Sequence, residues 1–199
     1  MAIKGNPNHP KAGSTIKVEP IKDRRAINSI KKMLYSNPRD YCMFVLGINT
    51  AMRANELLSI KVHQVRNIKP GDDFEIKQSK TGKYRRITIN KAVYKAIKRL
   101  LDSCDFDDDD YLFKSQLTGS KLTVPYFSCL VKSWCKSVGL KGNYGSHTLR
   151  KTWGYFQRVE RNTSIALLME AFGHARQRQT LEYLCIQPNE IKSIYLMEL

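Results

Sequence analysis

The stretch from Gly145 to Leu184, GSHTLRKTWGYFQRVERNTSIALLMEAFGHARQRQTLEYL, decides how the rest of the chain is read. Gly142 and Gly145 break the chain ahead of it, and a helical segment then runs from His147 to about Arg158. Further short helices fit Thr163 to Phe172, Arg176 to Leu184 and, just beyond, Pro188 to Leu199. On the first helix His147 and Arg150 stand three residues apart and share a face, so both side chains can turn towards one ligand.

Working outward, helical periodicity dominates. Ile27, Ile30 and Leu34 recur at spacings of three and four after Asp23, marking an amphipathic helix that ends before Pro38. A second helix follows Pro38 and carries Val45, Leu46 and Ile48 up to about Thr50. The period changes between Phe74 and Ile89: Phe74 and Ile76 alternate with charged residues, Ser79-Lys80-Thr81-Gly82 supplies turn chemistry, and Ile87 and Ile89 alternate again. That pattern is a β-hairpin. Asn90 can cap the next helix, whose apolar face is Val93, Ala96, Ile97, Leu100 and Leu101. Thr123 to Val138 is helical again, with a stripe of Val124, Phe127, Val131, Trp134 and Val138, and with Ser128, Lys132 and Lys136 facing solvent or phosphate. The fold expected is α+β, mainly helical with one small antiparallel sheet. Residues 1–21, with Gly5, Pro7, Pro10, Gly13 and Pro20 among lysines, read as a flexible basic arm, and residues 22–199 as one domain.

The chain has 199 residues, 42% of them hydrophobic and 26% charged, enough for one packed core. Its 34 Lys and Arg against 18 Asp and Glu give a net charge of +16, a field that attracts polyanions, of which nucleic acid is the commonest inside cells. Asp105 and Asp107 to Asp110 form an acidic run without the Gly and terminal Glu of a calcium loop, and read as a solvated loop facing away from DNA. The five cysteines form no C-x-x-C pair and have no His at ligand spacing, which makes them reduced thiols and not a metal centre. No apolar run suits a membrane span or a signal peptide, and no G-x-x-x-x-G-K-[ST] loop is present for ATP. A cytoplasmic, DNA-associated protein without cofactor or metal is expected.

Five short segments, in one order along the chain, resemble the motif set of the tyrosine site-specific recombinases of the phage integrase family. Thr50-Ala51-Met52-Arg53-Ala54-Asn55-Glu56-Leu57 resembles T-G-x-R-x-x-E-L, with Ala51 in place of the usual Gly. Ser79-Lys80-Thr81-Gly82-Lys83 lies at the hairpin tip, where the family carries a lysine. His147-Thr148-Leu149-Arg150 matches H-x-L-R, Phe172-Gly173-His174 stands for L-G-H, and Tyr183 follows His174 by the nine residues that separate the family's nucleophile from that histidine.

The resemblance implies a catalytic set of Arg53, Lys80, His147, Arg150, His174 and the nucleophile Tyr183, with Glu56 as a buried structural partner. It also implies the chemistry. Attack on a phosphodiester builds negative charge on the non-bridging oxygens, which a metal-free site neutralises with fixed cations. Arg53 and Arg150 supply planar forks that lysine cannot reproduce, and His174 adds a hydrogen bond. Tyrosine ionises near pH ~10 unperturbed, so Tyr183 needs a base, for which His147 is the candidate, while Lys80 protonates the leaving 5′ oxygen. The product is a 3′-phosphotyrosyl enzyme that reseals a strand without ATP.

Double-stranded DNA is the implied substrate, with a homo-oligomer, dimer to tetramer, assembled on it and accessory DNA-bending proteins as possible helpers. The family usually adds a helical DNA-clamping domain ahead of the catalytic one. Three other readings stand beside this one: relaxation of supercoils in the manner of type IB topoisomerases, a non-catalytic DNA-binding protein on the same fold, and a basic RNA-binding module, which would need an aromatic strand not visible here.

Overall fold

The computed structural model describes residues 18–77, 84–184, 186 and 188–198. Helix α1 (Arg24–Leu34) starts where the Asp23 carboxylate accepts the Arg25 amide at 2.8 Å, and it turns Ile27, Ile30 and Leu34 inward. Helix α2 (Pro38–Asn49) is capped by Asn37 and begins on a proline, whose missing amide costs nothing at that position. Cys42 to Leu46 are buried all round, so α2 is the central rod, packed on α1 and on two later helices, α4 (Lys91–Leu101) and α6 (Thr148–Val159). A single turn, α3 (Ala54–Leu58), follows, which the periodicity of the sequence is too short to reveal.

Strands β1 (Asp73–Lys77) and β2 (Tyr84–Thr88) pair antiparallel, with Phe74 opposite Ile87 and Ile76 opposite Arg85. The tip with Lys80 lies outside the described residues. Asn90 caps α4 by accepting the Val93 amide at 2.9 Å, as its sequence suggests. Helix α5 (Val124–Ser137), capped by Thr123, buries Phe127, Val131 and Trp134, and Trp134 meets Phe44 of α2 edge to face at 6.1 Å. Helices α7 (Ile165–Phe172), α8 (Gln177–Leu184) and α9 (Pro188–Tyr195) complete the order. No described helix is long and apolar enough to cross a membrane.

Two glycines let α6 come close to its neighbours. A Cβ on Gly47 would stand 2.5 Å from Leu149 Cδ1, and one on Gly154 would stand 2.5 Å from Phe172 Cζ. The apolar interior divides accordingly. A large cluster holds α1, α2, α4, α5 and the hairpin, and a small one gathers Ala51, Leu168, Phe172 and Leu184 with Trp153, Ile165 and Tyr183 at its edge.

The structure differs from the sequence reading at two places, the end of the arm and Ser128. The end of the expected arm is fastened: Ile21 is fully buried, its amide gives a 2.8 Å hydrogen bond to Thr152 Oγ1, and the Glu19 amide bonds the Asn143 carbonyl. The acidic run is an exposed loop, as read, and it is also anchored, since the backbone amides of Val62 and His63 bond the carbonyls of Asp110 and Asp108, and Arg66 and Lys114 pair with Asp108 and Asp110. Ser128 is an anchor, accepting the Ser146 amide at 3.2 Å. Buried Cys42 and Cys135 and exposed Cys104 and Cys129 are free thiols, with burial pushing Cys135 up to about 12.

Candidate active site

Arg150 is the centre of the arrangement. The turn before α6 is set by Thr148, whose hydroxyl accepts the Gly145 amide at 3.0 Å, and by the Ser128 anchor; His147 is left exposed at the helix N-terminus. One turn further in, Arg150 is 1% exposed. Its terminal nitrogens donate to the carbonyls of Ala51 and Phe172, and one lies 3.4 Å from His174 Nε2. Its Nε has no partner among the described residues. A guanidinium has five N–H donors, so it is not exhausted by these three acceptors.

The Ala51 carbonyl is aimed by an unusual backbone. Ala51 has φ 53°, the left-handed region, at the position where the resembling motif has glycine. Left-handed backbone costs an alanine about 1–2 kcal/mol. Glycine would relieve that, but it raises the entropy of the unfolded chain by about 0.4–1 kcal/mol equivalent and gives up a buried methyl worth about 0.8 kcal/mol. The terms nearly cancel. Ala51→Gly should therefore change stability by less than about 1 kcal/mol, about 2–4 °C in Tm for a chain of this size. Ala51→Val, β-branched in the same backbone and packed in the small cluster, should cost more than about 2 kcal/mol. Thermal unfolding of both variants checks the pair; a well-tolerated valine would contradict the account.

Beyond Ala51 the chain enters α3. The Glu56 carboxylate accepts the Arg53 amide at 2.7 Å, pairs with the Arg53 guanidinium at 2.7 Å and with Arg85 at 2.9 Å, so Glu56 is the buried partner that its motif implies. Burial pushes its pKa up, but the Arg53 hydrogen bonds and the charges of Arg85 and Arg53 outweigh this and hold it below the usual range. Arg53 also reaches the Gly173 carbonyl at 3.4 Å.

Arg85 was not singled out from the sequence. It is buried on β2, bonding the carbonyls of Ala171 and Ala51 as well as Glu56. Extending the alternation of Ile87 and Ile89 back by one step would have placed it inward. Arg53 and Arg85 thus pair with Glu56, and Arg150 lies within the electrostatic reach of all three, so that three guanidiniums face one carboxylate charge, an excess of two positive charges in the set. Desolvation, then Arg53 and Arg85, push Arg150 down to about 9, still cationic at neutral pH.

Helix α7 ends at Gly173, whose φ of 61° suits glycine and whose amide and that of His174 close the helix on Glu170 and Met169. This turn delivers His174. Its ring stacks on Phe172 at 5.0 Å with 14° between planes, and its Nδ1 lies 3.0 Å from Thr180 Oγ1 on α8. Burial first, then Arg150, Arg53 and Arg85, push its pKa down to about 4, so His174 is neutral near pH 7.

One turn along α8, the Tyr183 hydroxyl lies 2.9 Å from His147 Nδ1. The Tyr183 ring is 5.0 Å from His174, with the Arg150 guanidinium 5.7 Å from its centroid. Lys151, the residue after Arg150, is also buried, with Nζ 5.4 Å from the same ring. The structure therefore gathers Arg53, His147, Arg150, His174 and Tyr183 into one site, while Lys80 falls outside the described residues. An undercompensated cationic socket next to a phenol paired with an imidazole can bind an anion and present a nucleophile to it.

The chain as a whole is similar to known proteins. The chain is 31% identical over 179 residues to a probable integrase/recombinase, YoeC, of Bacillus subtilis (strain 168), covering 89% of this chain and 95% of that one. Its fold is that of the crystal structure of XerA recombinase, with TM-score 0.74 and 20% identity over 89% of this chain and 65% of the other. The XerH site-specific recombinase, in a post-cleavage complex with its palindromic difH substrate, has TM-score 0.74 and 21% identity, over 92% of this chain and 54% of that one. The chain thus spans less than two thirds of either solved recombinase. With the family model for the phage integrase family matching residues 23–190, the chain belongs to that family, the tyrosine recombinases.

Proposed function

We propose that this chain cuts and rejoins double-stranded DNA at specific sites through a 3′-phosphotyrosyl intermediate, without metal or ATP. The observation that carries the reading is the Tyr183 hydroxyl held 2.9 Å from His147 Nδ1, with the buried Arg150 guanidinium 5.7 Å from its ring and Arg53 and Arg85 paired to the nearby Glu56. Among the described residues no cluster of three or more His, Cys, Asp or Glu could hold a metal. In this reading the cations meet the charge of the phosphate themselves.

In this scheme His147 takes the phenolic proton as Tyr183 attacks phosphorus. Arg53, Arg150 and His174 hold the non-bridging oxygens, and the bond to the 5′ oxygen breaks as Lys80 gives that oxygen a proton. A 5′-hydroxyl from another strand reverses the sequence and releases Tyr183. Residues 22–199 form the catalytic domain, acting on nucleoid DNA with a basic arm ahead of it.

A duplex selected from a random-sequence pool, nicked near the scissile phosphate so that the cleaved fragment diffuses away, tests the reading. A covalent adduct on a denaturing gel, mapped to Tyr183 and unchanged by EDTA, is the expected result. Loss of the adduct on chelation with recovery in magnesium would refute it.

Exchange between two duplexes needs four cuts, and we propose that protomers assemble on DNA in pairs through the tail. Ile194, Tyr195, Leu196 and Met197 stay 69–84% exposed on this chain, an apolar face that a helix as short as α9 does not leave open without a use. Deleting residues 189–199 should leave half-site binding unchanged and weaken cooperative occupancy of a full site in a gel-shift titration. Unchanged cooperativity, with normal folding by circular dichroism, would remove the tail from assembly.

A further inference from the structure

His174 is held on every side, and only its proton is free to move. Phe172 stacks on its face, the Tyr183 ring stands near it at 5.0 Å, Nδ1 lies 3.0 Å from Thr180 Oγ1, and Nε2 lies 3.4 Å from an Arg150 nitrogen. Arginine has donors only, so Nε2 must accept. The neutral ring then carries its proton on Nδ1 and donates it to Thr180. Phosphate oxygens have acceptors only, so a phosphodiester replacing Arg150 at Nε2 needs the proton there.

We propose that Thr180 is a positioning residue that serves both tautomers of His174, accepting from Nδ1–H in the empty site and donating to bare Nδ1 when a phosphodiester is bound. The inference rests on the reading of the site as a phosphate site. The ring bears one proton in either form: Nδ1 releases one to water and Nε2 takes one from water, with His174 only partly buried. Thr180 keeps its own proton and turns about its Cβ–Oγ bond. A hydroxyl is suited to this because it is both donor and acceptor, whereas a carboxylate would pin the proton on Nδ1 and an ammonium would exclude it. Thr180 itself is fully buried, so its hydroxyl stays beside Nδ1 in either form of the ring. The low affinity of His174 for a second proton, set by burial and Arg150, Arg53 and Arg85, keeps the exchange between neutral forms.

The test is long-range 1H–15N NMR of the His174 ring in the full chain, with and without dimethyl phosphate, a phosphodiester without a hydroxyl, while the Arg150 Nε–H resonance reports anion binding. In the free chain Nδ1 should be the protonated nitrogen, and dimethyl phosphate should exchange the two 15N signatures. In Thr180→Val the exchange should be lost although Arg150 still responds. Cleavage of the selected duplex should slow about tenfold or more, as for other partners that orient a functional imidazole. Thr180→Ser should restore both. Protonated Nε2 in the free chain, or an exchange that persists in Thr180→Val, overturns the proposal and leaves the phosphate site standing. An Arg150 resonance indifferent to dimethyl phosphate overturns the phosphate reading itself.

Discussion

Tyr183→Phe should form no covalent adduct with the nicked duplex while binding it as tightly as the parent chain. Only a hydroxyl is removed, and the ring keeps its packing against Phe172 and His174. The hydrogen bond to His147 that disappears is solvent-accessible, worth about 0.5–1.5 kcal/mol at most, so the fold should survive. The chemical loss is of another order, since removing the nucleophile of a covalent enzyme costs on the order of 10^6 in rate. Denaturing electrophoresis after incubation with the duplex reads the outcome. An adduct that persists would move the nucleophile elsewhere, and Tyr195, 84% exposed on the tail, would be examined first.

Arg150→Lys should be nearly as damaging although the charge is kept. The guanidinium spans two carbonyls, Ala51 on one side and Phe172 on the other, and touches His174 with the same nitrogen that reaches Phe172. A lysine has one nitrogen at the end of a shorter reach. Whichever carbonyl it abandons is left buried and unsatisfied at a cost of about 1–3 kcal/mol. The planar fork for the phosphate goes too, and losing one preorganised donor to a developing oxyanion costs about 10²–10³ in rate. Stability should fall by a few kcal/mol at most and single-turnover cleavage by about a hundredfold or more. A lysine variant cleaving within a few-fold of the parent would show that charge alone suffices.

Much of this architecture is legible in the sequence because its signals are local. Spacings of three and four mark the buried faces of α1 and α4, Asn90 caps the helix that it precedes, and the period of two marks the hairpin. The motif residues Arg53, Glu56, His147, Arg150, His174 and Tyr183 stand out by type and order, and the structure brings them within reach of one another.

What escaped depends on contacts between distant segments. Nothing near Arg85 says that it faces Glu56, 29 residues away, and nothing near Ser128 says that it receives an amide of the turn before His147. Thr180 lies among the residues of an ordinary polar helix until the His174 ring is placed against it. The acidic run is the exposed loop that its composition suggests, and what composition does not show is that its carbonyls are the acceptors that the turn at Val62–His63 requires.

The division of the interior into a large cluster and a small one has a consequence for how the molecule fails. In apolar burial helices α7 and α8 are secured by Leu168, Phe172 and Leu184, about 1.5–3 kcal/mol each before the entropy of ordering is subtracted, beside the hydrogen bonds from Arg53, Arg85 and Arg150 to the end of α7. The body built on α2 has many times that. A segment so lightly fastened opens as a sub-global unit at a free energy below that of the whole chain. Warming or mild denaturant should therefore detach Tyr183 while α1, α2, α4 and α5 remain assembled, so that loss of the proposed cleavage precedes unfolding and is no measure of loss of fold.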